Sequence, residues 1–294
     1  MPILKKTEGL EPDLAELSKE HKISAVDDRE FRFLRFSDGF DPRELKINPR
    51  YSEVAITSYK EFARLKQDNT IGPDVRFQIS LPTPFSVASL YIAENSRKDF
   101  IGVYKTAMLN ELDKIFSVIP VAEAAIQWDV CLEVIAWEGR VASPVEDLEA
   151  YTAEMTANLC NAVPLDAEVG IHLCYGDPGH KHIVEPEDAA ILMRMANDIS
   201  SYMYRPLNWI HMPVPRERHD DGYFQPLRKL TLQNDTELYL GLIHYTDSDD
   251  GVRRRIATAK KYVPEFGIAT ECGFGRRPVE TVIPLLELHA RSCD

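Results

Sequence analysis

A histidine and a cysteine two residues apart, His172 and Cys174, have the residue types and spacing of metal ligands. They lie in the apolar run Ile171-His-Leu-Cys174, which predicts a β-strand, and alternate side chains of a strand share one face. An imidazole and a thiolate on one face can bind the same zinc ion. Buried packing is the other interpretation, because Cys is among the most buried residue types.

The surrounding sequence favours the metal interpretation. The predicted strand ends in the turn-rich, polar segment 175–180, and polar groups at the exit of a buried strand usually face a site. A third soft ligand, Cys272, lies about a hundred residues later in the segment 271–277. If it came from a distant strand to the same place, three of the four ligands of a zinc site would be present.

Strand-like and helix-like segments alternate from residue 75 onward. Strands are predicted at 75–80, 124–129, 168–174, 207–212, 237–243 and 266–271, with 31–36 as a candidate seventh. Helices are predicted at 99–118, 143–161, 186–202, 250–262 and 278–290. The second of these opens with Ser143-Pro-Val-Glu146, which combines an N-cap, a proline and a capping-box glutamate. Alternation of this kind indicates βαβ units and a parallel sheet.

We therefore expect an α/β fold of the single (β/α)8 TIM-barrel type. One domain is predicted over residues 1–294, which is a usual length for such a barrel, and residues 1–70 form an N-terminal extension of undefined structure. In a parallel barrel the carboxyl ends of all strands open onto one face, and that face carries the chemistry. Residues far apart in sequence are thus expected to converge there.

Several polar residues at these strand ends are candidates for catalysis or substrate binding. Asp129 is the first candidate for a general acid or base, because a carboxylate inside a barrel is costly unless it is paired or functional. Tyr175 and His244 are further catalytic candidates, although residues of this kind are more often hydrogen-bonded packing residues than catalysts. Gln127, two residues before Asp129, is a candidate for substrate binding.

Arginines near the strand ends could bind an acidic group of the substrate. Arg216 and Arg218 lie in a proline-stiffened loop, and Arg276 and Arg277 follow Cys272 closely. The guanidinium fork suits a carboxylate, such as the glutamate tail of a folate or an aromatic acid. A solvent-exposed loop held by salt bridges is the alternative for the first pair.

Composition narrows the partners. A net charge of −13 and the lack of a Lys/Arg run argue against nucleic acid and against an anionic membrane surface, so we expect a small-molecule substrate. Five scattered cysteines do not form a disulfide framework, and neither a signal-peptide pattern nor a membrane-spanning apolar run is seen. These features predict a cytoplasmic protein, and they leave the oligomeric state open.

Four segments resemble motifs of one enzyme superfamily over roughly residues 75 to 290. They are Leu81-Pro-Thr-Pro-Phe85, Ile126-Gln-Trp-Asp129, Ile171-His-Leu-Cys-Tyr175 and Glu271-Cys-Gly-Phe-Gly-Arg-Arg277. Together they resemble the catalytic barrel of cobalamin-independent methionine synthase, and the wider superfamily that this barrel shares with uroporphyrinogen decarboxylase. The third segment resembles the family's His-x-Cys-Tyr metal motif, and the fourth resembles the segment that supplies its last cysteine ligand.

The resemblance implies zinc bound by His172, Cys174 and Cys272. The family takes a fourth ligand from a glutamate, where this chain has Trp209-Ile-His-Met-Pro213. His211 could replace that glutamate, or solvent could complete the coordination. The family's Asp-Glu-Pro sequence also becomes Asp129-Val-Cys131 here.

Three functions are compatible with these residues. The first is a zinc-dependent methyltransferase or demethylase acting on a small substrate, with a folate or another methyl donor as cosubstrate. The second is a lyase on the same barrel, either a metal-assisted carbon–carbon lyase or a decarboxylase of the uroporphyrinogen type. The third is a non-catalytic protein that binds a metal, a corrinoid or a pterin.

Overall fold

The computed structural model describes residues 4–13, 33–176, 182–275 and 277–293. Its strands are β1 (Leu10–Pro12), β2 (Leu34–Phe36), β3 (Phe77–Pro82), β4 (Ala124–Val130), β5 (Glu168–Leu173), β6 (Trp209–Pro213), β7 (Glu237–Ile243) and β8 (Gly267–Thr270). Its α-helices are α1 (Tyr51–Gln67), α2 (Pro84–Tyr91), α3 (Glu94–Phe116), α4 (Leu132–Trp137), α5 (Leu148–Asn161), α6 (Ala190–Ser201), α7 (Asp221–Phe224), α8 (Ser248–Ala259) and α9 (Val282–Ser292).

The main sheet has six parallel strands in the order β3-β4-β5-β6-β7-β8. Strands that follow the chain order and alternate with helices are the product of successive βαβ units. The predicted α/β class and the parallel sheet are confirmed. Six strands of the predicted eight belong to this sheet within the described residues, and closure into an eight-stranded barrel stays a prediction.

Contacts divide the chain into two compact units, and the prediction of one domain is not tested by this division. The first unit comprises residues 1–129 and 142–170. Within it β3 and β4 pair in parallel from Phe77↔Ala124 to Pro82↔Asp129. Helix α3 buries a stripe at intervals of three and four residues that includes Phe100, Tyr104 and Met108, as expected for an amphipathic helix against a core.

The second unit comprises residues 130–141 and 171–294. Strands β6, β7 and β8 pair in parallel within it, and the β7–β8 register is irregular between Leu240 and Ile243. Ile243 of β7, Val252 of α8 and Leu285 of α9 belong to one cluster and are fully buried. Ile268 of β8, the strand that precedes Cys272, packs against the same cluster.

The predicted start of one helix is wrong. The predicted helix 143–161 begins at Leu148, because the Asp147 side chain accepts the backbone N–H of Ala150 and caps the helix there. Ser143 instead forms a local turn in which its hydroxyl accepts the N–H of Val145.

The candidate seventh strand does not join the main sheet in its described part. Leu34–Phe36 pairs antiparallel with Leu10–Pro12 in a separate two-stranded sheet, and residues 31–32 lie outside the described residues. An apolar run predicts a strand but not its partner, which accounts for the error.

Among the helices described above, none is both long enough and apolar enough to cross a membrane.

Candidate metal centre

Three side chains from two strands meet in the second unit. His172 lies in β5, Cys174 follows that strand directly, and Cys272 lies two residues after β8. One ligand atom from each of the three residues lies within 4.8 Å of the other two. His172 and Cys174 are buried, and Cys272 is half-buried. The structure thus brings together the three ligands that the sequence motifs indicate.

The donor set and spacing suit a zinc ion. Zinc binds thiolate sulfur at about 2.3 Å and imidazole nitrogen at about 2.0–2.1 Å, so tetrahedral ligands lie roughly 3.5–3.8 Å apart. Donor atoms within 4.8 Å of one another need only small side-chain movements to reach that spacing. A buried group of one imidazole and two thiols is also a poor choice for Mg²⁺ or Ca²⁺, which prefer oxygen ligands.

The two thiols of this group are hydrogen-bonded neighbours. Contact with Cys131 and burial raise the pKa of Cys174 well above its usual value, while contact with Cys272 opposes that shift. Contact with Cys174 and burial likewise raise the pKa of Cys272, against a hydrogen bond from His172. Both thiols therefore stay protonated near neutral pH in the absence of a cation. A bound divalent cation would favour their thiolate forms.

His211 lies next to this group. Its ring stacks on that of His172 with centroids 4.6 Å apart and an interplanar angle of 19°. Burial, and then the charge of His172, lower the pKa of His211 well below its usual value, so the ring is neutral. Its Nε2 is buried and has no hydrogen-bond partner among the described residues. A neutral imidazole with a buried lone pair is the form in which histidine binds metals.

Tight backbone turns hold the two cysteine segments. Gly176 has a φ of +79°, and its N–H donates to the Cys174 sulfur at 3.3 Å. A Cβ at Gly176 would lie 2.5 Å from the Ile183 side chain, so a larger residue does not fit there. On the other segment, the Thr270 hydroxyl donates to the Cys272 carbonyl oxygen at 2.8 Å. These contacts hold the Cys174 sulfur and the backbone of Cys272.

A half-buried carboxylate, Glu271, lies between two histidines beside the centre. His182 Nε2 contacts one of its oxygens, and His244 Nδ1 lies 3.6 Å from the other. Glu271 and Glu185 raise the pKa of His182 against the effect of its burial, which favours an imidazolium that neutralises Glu271. His244 Nε2 lies 2.9 Å from the Val214 carbonyl oxygen, and since a carbonyl only accepts, this nitrogen carries the proton.

The lowered pKa of His244 predicts that the free energy of unfolding falls in acid. Burial lowers its pKa to about 4, below the unfolded value near 6.5, so the unfolded chain binds more protons between these values. Its stabilising contribution is complete above about pH 6.5 and is lost as pH falls to about 4, with a slope of up to roughly 1.4 kcal/mol per pH unit. Urea unfolding of the metal-free protein at a series of pH values should show a shallower slope for His244→Asn. An identical slope in the variant would contradict this assignment.

Tyr175, a predicted catalytic residue, lies in the interior of this unit. It is fully buried, its ring lies 5.3 Å from that of His182, and its hydroxyl contacts Tyr223, which donates to the Pro213 carbonyl oxygen. Burial raises the pKa of Tyr175 well above its usual value, so it keeps its proton. Near neutral pH it is therefore a neutral phenol and not a phenolate base.

The predicted arginines have different surroundings. Arg216 is exposed and donates to Glu217 and Thr246. Arg218 donates to Asp220 and to two backbone carbonyl oxygens, and its guanidinium lies over the Tyr223 ring at 5.0 Å. Both sets of contacts agree with the salt-bridged loop that was the alternative interpretation. Arg277 has a buried Nε without a hydrogen-bond partner in the described ranges, and Arg276 lies outside them.

The other two predicted residues, Gln127 and Asp129, belong to the first unit. They share one face of β4, where the Gln127 amide donates to Asp129 Oδ1 at 2.9 Å and to Ser80 at 3.3 Å. Both are half-buried, while their neighbours in β4 are buried on the other face. This hydrogen bond fixes the orientation of the Asp129 carboxylate. Catalysis by Asp129 and substrate binding by Gln127 stay predictions.

Three residues of the centre's surroundings were missed. Cys131 lies two residues after Asp129, and Glu271 directly precedes Cys272. The role of each depends on which strand lies beside it. His182 lies in a loop, where no periodicity relates it to a strand face. Only adjacency to Cys272 could have indicated Glu271.

Comparison with known proteins was made for sequence and for structure. No protein-family model matches the chain, and no curated protein matches it either. A solved structure from Listeria monocytogenes, named as a candidate vitamin-B12-independent methionine synthase, is similar with a TM-score of 0.52 and 15% sequence identity. The match covers 98% of this chain and 76% of that one. The chain therefore shares the fold of that methionine synthase-like protein, and the resemblance carried by its sequence motifs is confirmed at the level of the fold.

Proposed function

We propose that the chain is a zinc-dependent methyltransferase or demethylase acting on a small substrate. The observation that carries the proposal is the group of His172, Cys174 and Cys272, whose ligand atoms lie within 4.8 Å of one another at the ends of β5 and β8. Similarity of fold to a methionine synthase-like protein supports the same class of reaction. Zinc bound by these residues would stabilise a substrate thiol as its thiolate near neutral pH, which makes it a nucleophile for a methyl group.

Different residues of the chain would then have different roles in the reaction. Burial of His172 and Cys174 excludes water from the ligand atoms. Asp129, held by Gln127, offers a carboxylate oxygen for a substrate proton or a hydrogen-bond donor. His244 holds its proton on Nε2 against Val214, and Tyr175 offers a neutral hydroxyl. Among the arginines, Arg277 has a donor that is free to bind an acidic group in the described part of the chain.

Metal content and methyl transfer together test the proposal. The purified full chain should contain about one zinc per molecule, and it should methylate a thiol acceptor in a screen of small acceptors against folate and other methyl donors, with products identified by mass spectrometry. Asp129→Asn should retain zinc and lose methyl transfer. A folded protein that binds no zinc, or one that releases carbon dioxide from carboxylated substrates without metal, would overturn the proposal and favour a lyase.

The role of His211 is tested by a variant that keeps its ring stacking. His211→Phe can still stack on His172 but has no nitrogen, so we expect zinc affinity to fall roughly tenfold. The effect should be smaller than that of losing a cysteine, because His211 lies outside the group of mutually close ligand atoms. Competition with a chromogenic chelator measures the affinity. An unchanged affinity would mean that solvent, and not His211, completes the coordination.

A further inference from the structure

Cys131 places a third sulfur beside the candidate metal centre. It follows β4 directly, and the backbone N–H of Cys174 donates to the carbonyl oxygen of Val130 at 3.0 Å, which lays the end of β5 alongside Cys131. The two thiols are in hydrogen-bonding contact. Adjacent parallel strands run about 4.8 Å apart, within the Cα separations of about 4.4–6.8 Å that disulfides span.

The two cysteines differ in access to solvent and in their relation to the ligand group. Cys174 is buried, whereas Cys131 is half-exposed. Cys131 is also not a member of the group whose ligand atoms all lie within 4.8 Å of one another. A metal bound there would therefore occupy Cys174 and Cys272 and leave the Cys131 thiol available to a small oxidant.

We propose that Cys131 and Cys174 form a peroxide-reactive pair, in which Cys131 is the sulfur that is oxidised first and Cys174 is the one that then forms the disulfide with it. The Cys131 thiolate attacks a hydroperoxide, the O–O bond breaks, and a sulfenic acid and water (or an alcohol) form. The Cys174 sulfur then attacks the Cys131 sulfur, the S–O bond breaks, and a disulfide and a second water form. Two thiols lose two electrons and two protons, and the hydroperoxide takes up both.

Disulfide formation and metal binding compete for the same sulfur. This consequence rests on the proposed zinc site, because Cys174 cannot act as a thiolate ligand while its sulfur is bonded to that of Cys131. Peroxide would thus release the metal, and a dithiol reductant would restore the site. The half-exposed Cys272 could also form a disulfide with Cys174. As a metal ligand, however, Cys272 is protected from oxidation by the bound ion, whereas Cys131 is not a ligand and is not protected.

The test uses the full chain loaded with zinc and exposed to hydrogen peroxide, with released zinc read by a chromogenic chelator. Peptide mapping under non-reducing conditions should find Cys131 joined to Cys174. Cys131→Ser should bind zinc as the unmodified chain does and release it at least about tenfold more slowly under peroxide. Cys293→Ser, which removes an exposed cysteine, is the matched control and should behave as the unmodified chain does.

Other outcomes separate this inference from the function proposed above. A Cys174–Cys272 disulfide, or zinc release at the same rate from Cys131→Ser, overturns the pair while leaving the zinc site intact. If the reduced chain binds no zinc, the proposed function fails, and mapping of the peroxide-treated metal-free chain still decides whether Cys131 and Cys174 pair.

Discussion

Replacing Cys272 by serine is expected to weaken zinc binding about a hundredfold. Zinc binds to four-ligand peptide sites with roughly 10–16 kcal/mol, so one ligand corresponds to about 3 kcal/mol, or about two orders of magnitude in affinity. A serine hydroxyl does not replace a thiolate at neutral pH, because its proton is not lost. Cys174→Ser should have an effect of the same size, since its sulfur belongs to the same group.

The measurement is zinc affinity by competition with a chelator, with metal content after dialysis as a second readout. Cys160→Ser is the control for a buried cysteine and Cys293→Ser for an exposed one, and both should retain zinc. Thermal unfolding of the metal-free forms shows whether the substituted chains still fold. Full zinc content in both Cys174→Ser and Cys272→Ser would remove the proposed centre, whatever the fold.

Much of the site could be predicted, because strand geometry indicated two of its residues and resemblance to a metal motif indicated the third. Alternation along a strand places His172 and Cys174 on one face, and this follows from local geometry alone. Cys272 is different, because its arrival beside them depends on the order of strands in the sheet. Only the resemblance of the segment around it to a known metal motif indicated it before the fold was known.

The missed residues depend on contacts between elements. Cys131 meets Cys174 because β4 and β5 are neighbours and end at the same level, a relation between strands that no local pattern contains. His182 reaches Glu271 from a loop, after a turn at Gly176. The missed start of α5 at Leu148 is a local error, because Asp147 and not the predicted Ser143 caps the helix.

The positions of strands are therefore more predictable than their partners. The six strands of the main sheet were each predicted to within three residues at either end, since buried parallel strands are continuous apolar runs. The run 31–36 is also rich in strand-forming Phe, and its described part pairs with Leu10–Pro12 instead. Which partner a strand takes depends on the whole fold, and a short apolar run does not contain that information.

Replacing Gly241 by alanine should disturb the metal centre without touching a ligand. Gly241 lies in β7, and a Cβ built on it would be 2.8 Å from the Glu271 Cα and 3.2 Å from both the Pro213 Cα and the Thr270 carbonyl oxygen. These are backbone atoms of the flanking segments, so they cannot move aside as a flexible side chain would. Overpacking of this kind costs about 2–3 kcal/mol in the free energy of unfolding. Displacement of the β8 exit should also lower zinc affinity roughly tenfold, as loss of a supporting contact around a metal does.

Gly102→Ala is the matched control, because Gly102 lies inside α3 with no atom within 4 Å of its built Cβ. Alanine is a better helix former than glycine, so this variant should gain about 0.5–1 kcal/mol and keep its zinc affinity. Urea unfolding and chelator competition on both variants measure the two effects separately. A Gly241→Ala protein of reduced stability and normal zinc affinity would show that the position of Cys272 does not depend on the close approach of β7 to the β8 exit. Reduced stability together with reduced affinity would show that the backbone packing of β6, β7 and β8 holds the third ligand within reach of the other two.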